Sequence, residues 1–436
     1  MCRVSPSCWF LVFAVLVGVN LACGEPATPA KQVKPAAGNR TPAKLVATSG
    51  KVTAGDWPWW RGPDYNGVSR ETKWRDDWSE AGPKILWRGS VGTGFSSFAV
   101  KGDRVYTMGH TDGNDTIFCF NAETGETIWS HTYPCELVDN LHEGGPGATP
   151  TIDGSRVYTV SKEGHFFCLD AANGKVLWQH EFQPLFEVEM PAWGFSASPV
   201  ILGDQVIVEG GSLAAFDKTS GELTWKTEPQ RHGYGTPTCF QHDGTTWVAW
   251  LSNDNLTIVN AADGSEADRF PWETQFATTA GTPLVQGDQI FISTGYNRGC
   301  ALFTFDGEKL TDQYDVRTMR NHMAASVPWN DVLFGFDGNS HNRSSVHLKC
   351  IDWATGEEKW KHRGLGCGTV LRAGERLIVL SDEGLLVVAP CSEDGFEPTA
   401  EAQVLEGRCW TVPVLARGLL YCRNAAGDVV CVDLRN

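Results

Sequence analysis

Positive charge is scarce in this chain: 36 Lys and Arg stand against 52 Asp and Glu, for a net charge of −16. Nucleic-acid phosphates are bound by clustered Lys and Arg, so DNA and RNA are excluded as partners. The acidity serves solubility instead. Apolar periodic runs of helical length are missing beyond the N-terminus, so helix is expected to be rare. Familiar catalytic devices are missing too. There is no Gly-x-Ser-x-Gly elbow, no His-Glu-x-x-His helix and no Gly-rich phosphate loop. No Cys-x-x-Cys or Cys/His cluster at zinc spacing occurs, and no metal ligand set can be named. No Asp-x-Asp-x-Asp-Gly calcium loop occurs either, and Asp112-Gly-Asn-Asp115 reads as a hairpin turn.

What the chain does contain is a phrase that returns. Cys119, Asn121, Gly125 and Trp129 keep the spacing of Cys168, Asp170, Gly174 and Trp178. The same spacing holds for Ala215, Asp217, Gly221 and Trp225, and for Cys350, Asp352, Gly356 and Trp360. Repetition of this kind means an array of equal units. Asp or Asn ahead of a Gly-containing turn, between apolar runs, signals a β-hairpin. The small residue suits a crowded slot, and the Trp buries a large indole whose N–H still needs a partner. A second hairpin precedes each phrase, as at Asp103-Arg-Val-Tyr106, Ser155-Arg-Val-Tyr158 and Asp204-Gln-Val-Ile207. Each unit is therefore four short strands, a propeller blade.

The blades number eight. Four carry the full phrase, and a fifth, around Ile258-Val-Asn260-Ala-Ala-Asp263-Gly264, lacks the Trp. A sixth at Phe303-Thr-Phe-Asp306-Gly307 and a seventh at Arg376 to Pro390 are worn, which leaves seven blades as the alternative. The eighth ends at Val430-Cys431-Val432-Asp433-Leu434 without a last strand. Pro83-Lys-Ile-Leu-Trp87 is a Trp-ended strand without a hairpin before it, and pairing it with the last blade closes the ring and removes exposed edges. The expected fold class is all-β, an eight-bladed propeller of four-stranded blades docked through Trp87, Trp129, Trp178, Trp225 and Trp360. Length alone suggests about three domains at ~150 residues each, but the repeat makes residues 56–436 one domain.

Residues 1–23 read as an export signal. Arg3 leads an apolar stretch from Cys8 to Val19, too short to span a bilayer, and Leu21-Ala22-Cys23-Gly24 offers a small-residue cleavage site. Cys23 is the candidate for lipidation, with plain cleavage as the alternative because Asn20 stands where a lipobox has an aliphatic residue. An Ala-, Pro- and Thr-rich linker follows over 24–55, whose composition cannot bury a core. The protein is thus expected to be exported, either free in the periplasm or anchored to a membrane by lipid, and monomeric. Setting aside Cys2, Cys8 and Cys23 leaves eleven of the 14 cysteines. Four of these, Cys119, Cys168, Cys350 and Cys431, occupy a slot that Ala215 also fills, which marks a small buried residue rather than a bridge or ligand.

The repeated phrase resembles the tryptophan-docking repeat of the pyrroloquinoline quinone (PQQ) propellers, a superfamily of quinoprotein dehydrogenases and BamB-type scaffolding lipoproteins. Asp56-Trp57-Pro58-Trp59-Trp60-Arg61-Gly62-Pro63, with Asn66-Gly67-Val68-Ser69 after it, is similar to the opening of exported PQQ-like repeat proteins of planctomycetes. Gly145-Pro146-Gly147-Ala-Thr149-Pro150 and Trp193-Gly194-Phe195-Ser-Ala-Ser198-Pro199 match that group as well. The resemblance spans about residues 56–434 and implies the fold; for function it implies either an enzyme or a scaffold.

In a propeller the loops before each first strand converge on one channel mouth, and there the sequence places His142, Glu143, Trp193, Arg231, His232, Arg320, Asn321, His322 and Trp410. The leading expectation is a binding or scaffolding protein with an unidentified protein partner or small-molecule ligand. The dehydrogenase alternative implies PQQ with calcium. For it, Glu143 is the candidate metal ligand or base and Arg320 the fork for the quinone carboxylates. The capping pair of adjacent cysteines found in such enzymes does not occur, and no catalytic set can be named. A third alternative is a carbohydrate- or polymer-binding module that uses Trp193 and Trp410 as stacking faces.

Overall fold

The computed structural model describes residues 52–436. The export signal, Cys23 and the linker up to Lys51 lie outside the described residues. Within them the strands form eight sheets, each with a meander of four strands, so the count is eight and not seven. The only α-helix among the described residues is the short Phe182–Phe186. Seven blades are continuous in sequence. The eighth is completed by Lys84–Ser90, which pairs antiparallel with Asp428–Asp433, from Lys84 opposite Asp433 to Ser90 opposite Asp428. The ring closes as the sequence requires.

The repeated phrase has a mechanical explanation. Asn121 Oδ1 accepts the N–H groups of Glu123 and Thr124 at 2.9 and 3.0 Å, which folds the turn back on itself. Across the ladder the small residue faces the aromatic: Cys119 opposite Trp129, Cys168 opposite Trp178, Ala215 opposite Trp225, Cys350 opposite Trp360 and Cys431 opposite Trp87. Each indole then reaches the next blade. Trp87, Trp129 and Trp225 donate to the carbonyls of Ala122, Ala171 and Ala261 at 2.9, 2.9 and 3.1 Å. Trp360 donates to Ser392 O at 2.9 Å. A Cβ at Gly125, Gly174, Gly221 or Gly264 would lie only 2.5–2.7 Å from the neighbouring indole, so the turn glycine is where the ring rests.

Two blades substitute for the tryptophan. Tyr314 lies over Gly356 and its hydroxyl donates to Trp353 O at 3.2 Å. Asp268 takes the slot in the blade over 238–271 and accepts Leu310 N–H at 2.8 Å. All eleven cysteines among the described residues are free and buried, in line with the reading of Cys119, Cys168, Cys350 and Cys431 as small core residues.

The segment ahead of the closing strand does something the repeat does not foretell. It crosses the channel and touches the innermost side of the blades in turn. Trp57 pairs with Val100, Pro58 O accepts Ile152 N–H at 2.8 Å, and Trp59 packs with Val200 and Cys239. Trp60 Nε1 donates to Thr282 Oγ1 at 3.1 Å, and Arg61 donates to Ser326 O at 2.6 Å. Val68–Ser69 adds a parallel strand to Thr369–Ala373, and Ser69 Oγ donates to Leu415 O at 2.8 Å. The channel is therefore plugged. Arg61 is buried without a carboxylate partner; three backbone carbonyls take its protons, and burial lowers its pKa to about 9.

Candidate functional site

The inter-blade connections gather around the channel and, with Trp60 of the plug, enclose a cavity of about 600 Å³. Its wall is aromatic. Phe95 stacks on Trp410 with centroids 5.8 Å apart, and the edge of His142 meets Phe95 at 5.3 Å. Trp193 meets Tyr234 at 5.8 Å. On a third side Tyr296 holds His322 at 5.0 Å, His341 at 5.6 Å and Phe276 at 5.4 Å.

Four of the nine sequence candidates line this cavity: His142, Trp193, His322 and Trp410. The other five do not reach its wall, and each has another commitment. Glu143 accepts from Arg408 at 2.8 Å, and Arg408 in turn lies 4.3 Å over the Trp410 ring. Arg231 is held by Asp254 at 2.6 Å. Arg320 donates from Nε and Nη2 to Asp337 at 2.7 and 2.8 Å, so its fork is already filled. Burial works against ionisation of Asp337, yet Arg320 and Lys349 keep its pKa below the ordinary value. Asn321 is buried and donates to Phe336 O at 3.0 Å. His232 sits behind the wall against Phe195 and Tyr234.

Residues missed by sequence reasoning include Phe95, Leu141, Lys162, Phe276, Tyr296, His341 and Arg408. Lys162, Tyr296 and His341 come from hairpin turns within blades, where no loop motif marks them. Phe95 lies between blades on a segment that the sequence did not single out, and Arg408 stands two residues before Trp410 without a signal of its own.

Charge at the wall is lopsided. Among the described residues no Asp or Glu lines the cavity, whereas Lys162 and Arg408 do. Lys162 donates to Trp193 O at 2.6 Å, and burial pulls its pKa down to about 8. Burial, reinforced by Lys162 and Arg408, lowers His142 to about 4; burial, reinforced by His341, does the same to His322. Both imidazoles are neutral at physiological pH and offer one donor and one acceptor each.

Behind this wall lies a buried acid with a measurable signature. Glu209 is 2 % exposed, accepts Gly211 N–H at 3.2 Å, and burial raises its pKa to about 8. At pH 4 both folded and unfolded chains hold the proton. Between the unfolded value near 4.5 and the folded value near 8, only the unfolded chain releases it. This group's contribution to stability is therefore complete below pH 4.5 and lost as pH rises to 8, at up to about 1.4 kcal/mol per pH unit. Glu209→Gln should flatten that loss. Urea unfolding of both proteins at pH 5 and 7 checks it, and parallel losses in the two would overturn it.

The arrangement has known counterparts. A family model described as outer membrane protein assembly factor BamB matches residues 65–183 and 138–362. No curated protein matches the chain. Among solved structures, BamB from Moraxella catarrhalis is 17% identical with a TM-score of 0.55, covering 80% of this chain and 96% of its own. Quinohemoprotein alcohol dehydrogenase from Comamonas testosteroni is 13% identical with a TM-score of 0.63, covering 88% of this chain and 81% of its own. A europium-containing methanol dehydrogenase is 10% identical with a TM-score of 0.61, covering 87% and 90%. Identities this low establish the shared propeller and nothing about chemistry. With eight blades and a family match across more than half of its length, the chain belongs to the BamB family of PQQ-like β-propellers.

Proposed function

We propose that this is an exported binding protein whose channel mouth takes a ring-bearing small molecule or polymer end, and whose outer faces meet protein partners. One observation carries the reading. Leu141, Phe276 and Tyr296 line the cavity, and all three hold left-handed backbone, at φ 63, 64 and 51°. Leu141 is 87% exposed and Phe276 65%. A bulky residue in that conformation costs about 1–3 kcal/mol. Folding buries little of Leu141 and Phe276 to offset it, and Tyr296 is only half-buried. Strained apolar groups presented at a cavity rim favour a ligand with ring faces, held between Trp410 and Trp193 and oriented by neutral imidazoles.

The dehydrogenase reading finds less support. Calcium takes six to eight oxygen ligands, with carboxylates prominent among them. Among the described residues the cavity wall offers no carboxylate, and Glu143 is engaged by Arg408. The donor set does not fit a calcium–quinone pair. Export and a lipid anchor at Cys23 rest on the leader sequence, and a protein partner is suggested by the assembly-factor description of the family.

The test is to incubate the purified protein with PQQ and calcium, desalt it, and measure retained quinone and dye-linked alcohol oxidation. Neither calcium-dependent retention nor dye reduction is expected. In parallel, soluble oligosaccharides and PQQ without calcium are titrated against indole fluorescence, with Trp193→Ala and Trp410→Ala as controls. Loss of quenching in those variants supports the site. Stoichiometric PQQ with calcium-dependent dye reduction would move the protein to the enzyme class.

A further inference from the structure

One polar cluster lies apart from the repeat and beside the cavity wall, at the seam of the blades over 99–134 and 151–181. One ligand atom each of Cys135, Glu163 and His165 lies within 4.8 Å of the others. From this geometry we infer a divalent transition-metal site, zinc by its donor set, with the open fourth position that three protein ligands leave. Thiolate, imidazole and carboxylate is a zinc combination, whereas calcium and magnesium would want oxygen alone. Bond lengths of about 2.0–2.3 Å put tetrahedral ligands roughly 3.3–3.8 Å apart, so closing by about 1 Å completes the site.

Each ligand is positioned by something other than the ion. Cys135 is one residue past the strand Thr127–Pro134, buried, with its N–H on Gly113 O at 3.1 Å. It is not in the repeat slot that explains Cys119 and Cys168. Glu163 accepts the N–H of Glu136 at 3.2 Å, which ties it to the cysteine's own loop. His165 has Nδ1 on Ser161 Oγ at 2.9 Å, the kind of outer contact that fixes a ligating imidazole. Between them Gly164 turns at φ +92° against Phe182 and Phe195, with no room for a side chain, and this fixes the Ser161–His165 turn.

A second observation points to a missing cation. Asp115 is fully buried next to the Cys135 thiol. Its Oδ1 is 2.9 Å from His110 Nδ1, while for Oδ2 there is no nitrogen or oxygen donor and the carboxylate has only the weak S–H of Cys135 besides. A buried carboxylate oxygen left with so weak a donor is costly. A cation at the three ligands, with water in its fourth position, would supply both the opposing charge and a donor.

The experiment strips the purified full chain with chelator and titrates it with Co²⁺, then competes with Zn²⁺. One Co²⁺ per chain is expected, with a thiolate-to-cobalt charge-transfer band and tetrahedral d–d bands, both abolished by Zn²⁺. Cys135→Ser should remove the charge-transfer band. Glu163→Gln and His165→Ala, at half-exposed positions where misfolding is not expected, should weaken Co²⁺ binding by about tenfold or more. Cys239→Ser should change nothing. Failure of the wild-type chain to bind Co²⁺, or a thiolate band that survives in Cys135→Ser, overturns the site. So does unchanged affinity in both Glu163→Gln and His165→Ala. None of these outcomes bears on the aromatic cavity reading, which is tested with other ligands.

Discussion

Deleting residues 1–90 should open the ring and make the chain aggregate. The deletion removes Lys84–Ser90 and leaves Asp428–Asp433 as an open edge, with Val430, Cys431 and Val432 stripped of cover. It also removes Trp87, which crosses from the last blade to rest on Gly125 of the first and donate to Ala122 O. The plug goes with it, and with it Trp57, Trp59 and Tyr65, all buried. At about 2–3 kcal/mol per large buried apolar side chain, these losses together exceed the margin by which most domains stay folded. Deleting only residues 1–70 separates the two causes. That variant keeps the closing strand, so it should remain monomeric but melt at a lower temperature. Size-exclusion chromatography and thermal melts of both truncations decide the matter. A monomeric 1–90 deletion that melts like the full chain would sink the closure argument.

Closure and plug differ in how far the sequence disclosed them. Closure was legible because a Trp-ended strand without a hairpin and a hairpin without its last strand are complementary defects in one repeat. The plug was not legible. Trp59, Trp60 and Arg61 lie in an irregular segment whose contacts follow the circle of blades, and no spacing along the chain encodes a circle. The worn blades show the same limit in reverse. Tyr314 and Asp268 stand where a docking tryptophan stands in other blades, yet neither matches the phrase, because each reaches the next blade through a hydrogen bond of its own rather than through an indole.

At the channel mouth the loops were identifiable and the side-chain directions were not. His142, Trp193, His322 and Trp410 point to the cavity, while Arg231 and Arg320 turn to acids on neighbouring strand ends, Asp254 and Asp337. A guanidinium goes to the nearest carboxylate that suits its fork, and that partner is 17 residues away for Arg320 and 23 for Arg231. Phe276 and Tyr296 escaped notice because their importance lies in a backbone conformation, which residue type does not advertise. The Cys135, Glu163 and His165 cluster draws on two blades, so no short metal motif could announce it.

Trp129→Ala and Trp225→Ala should each cost about 3–5 kcal/mol, through lost contact and the cavity left between blades. Both rings are 8% exposed and both rest on the next blade's turn glycine. Trp178 supplies an internal comparison. It occupies the same slot over Gly221, but its indole N–H has no hydrogen-bond partner. The acceptor that corresponds to Ala171 O and Ala261 O is Lys218 O, and the Tyr158 hydroxyl donates to it at 2.8 Å. Replacement by Phe keeps much of the ring and deletes the N–H. Trp225→Phe therefore leaves Ala261 O short of a donor and should lose about 1 kcal/mol more than Trp178→Phe, which removes a buried donor that was already unsatisfied. In Trp129→Phe the carbonyl of Ala171 keeps Arg104 and Tyr106 as donors, so its loss should match that of Trp178→Phe. Urea unfolding midpoints across the five variants measure both effects. Equal losses for the three Phe variants would show that ring contact alone docks the blades, and Ala variants within 1 kcal/mol of the parent would show that the repeat's most conspicuous residue does not hold the ring together.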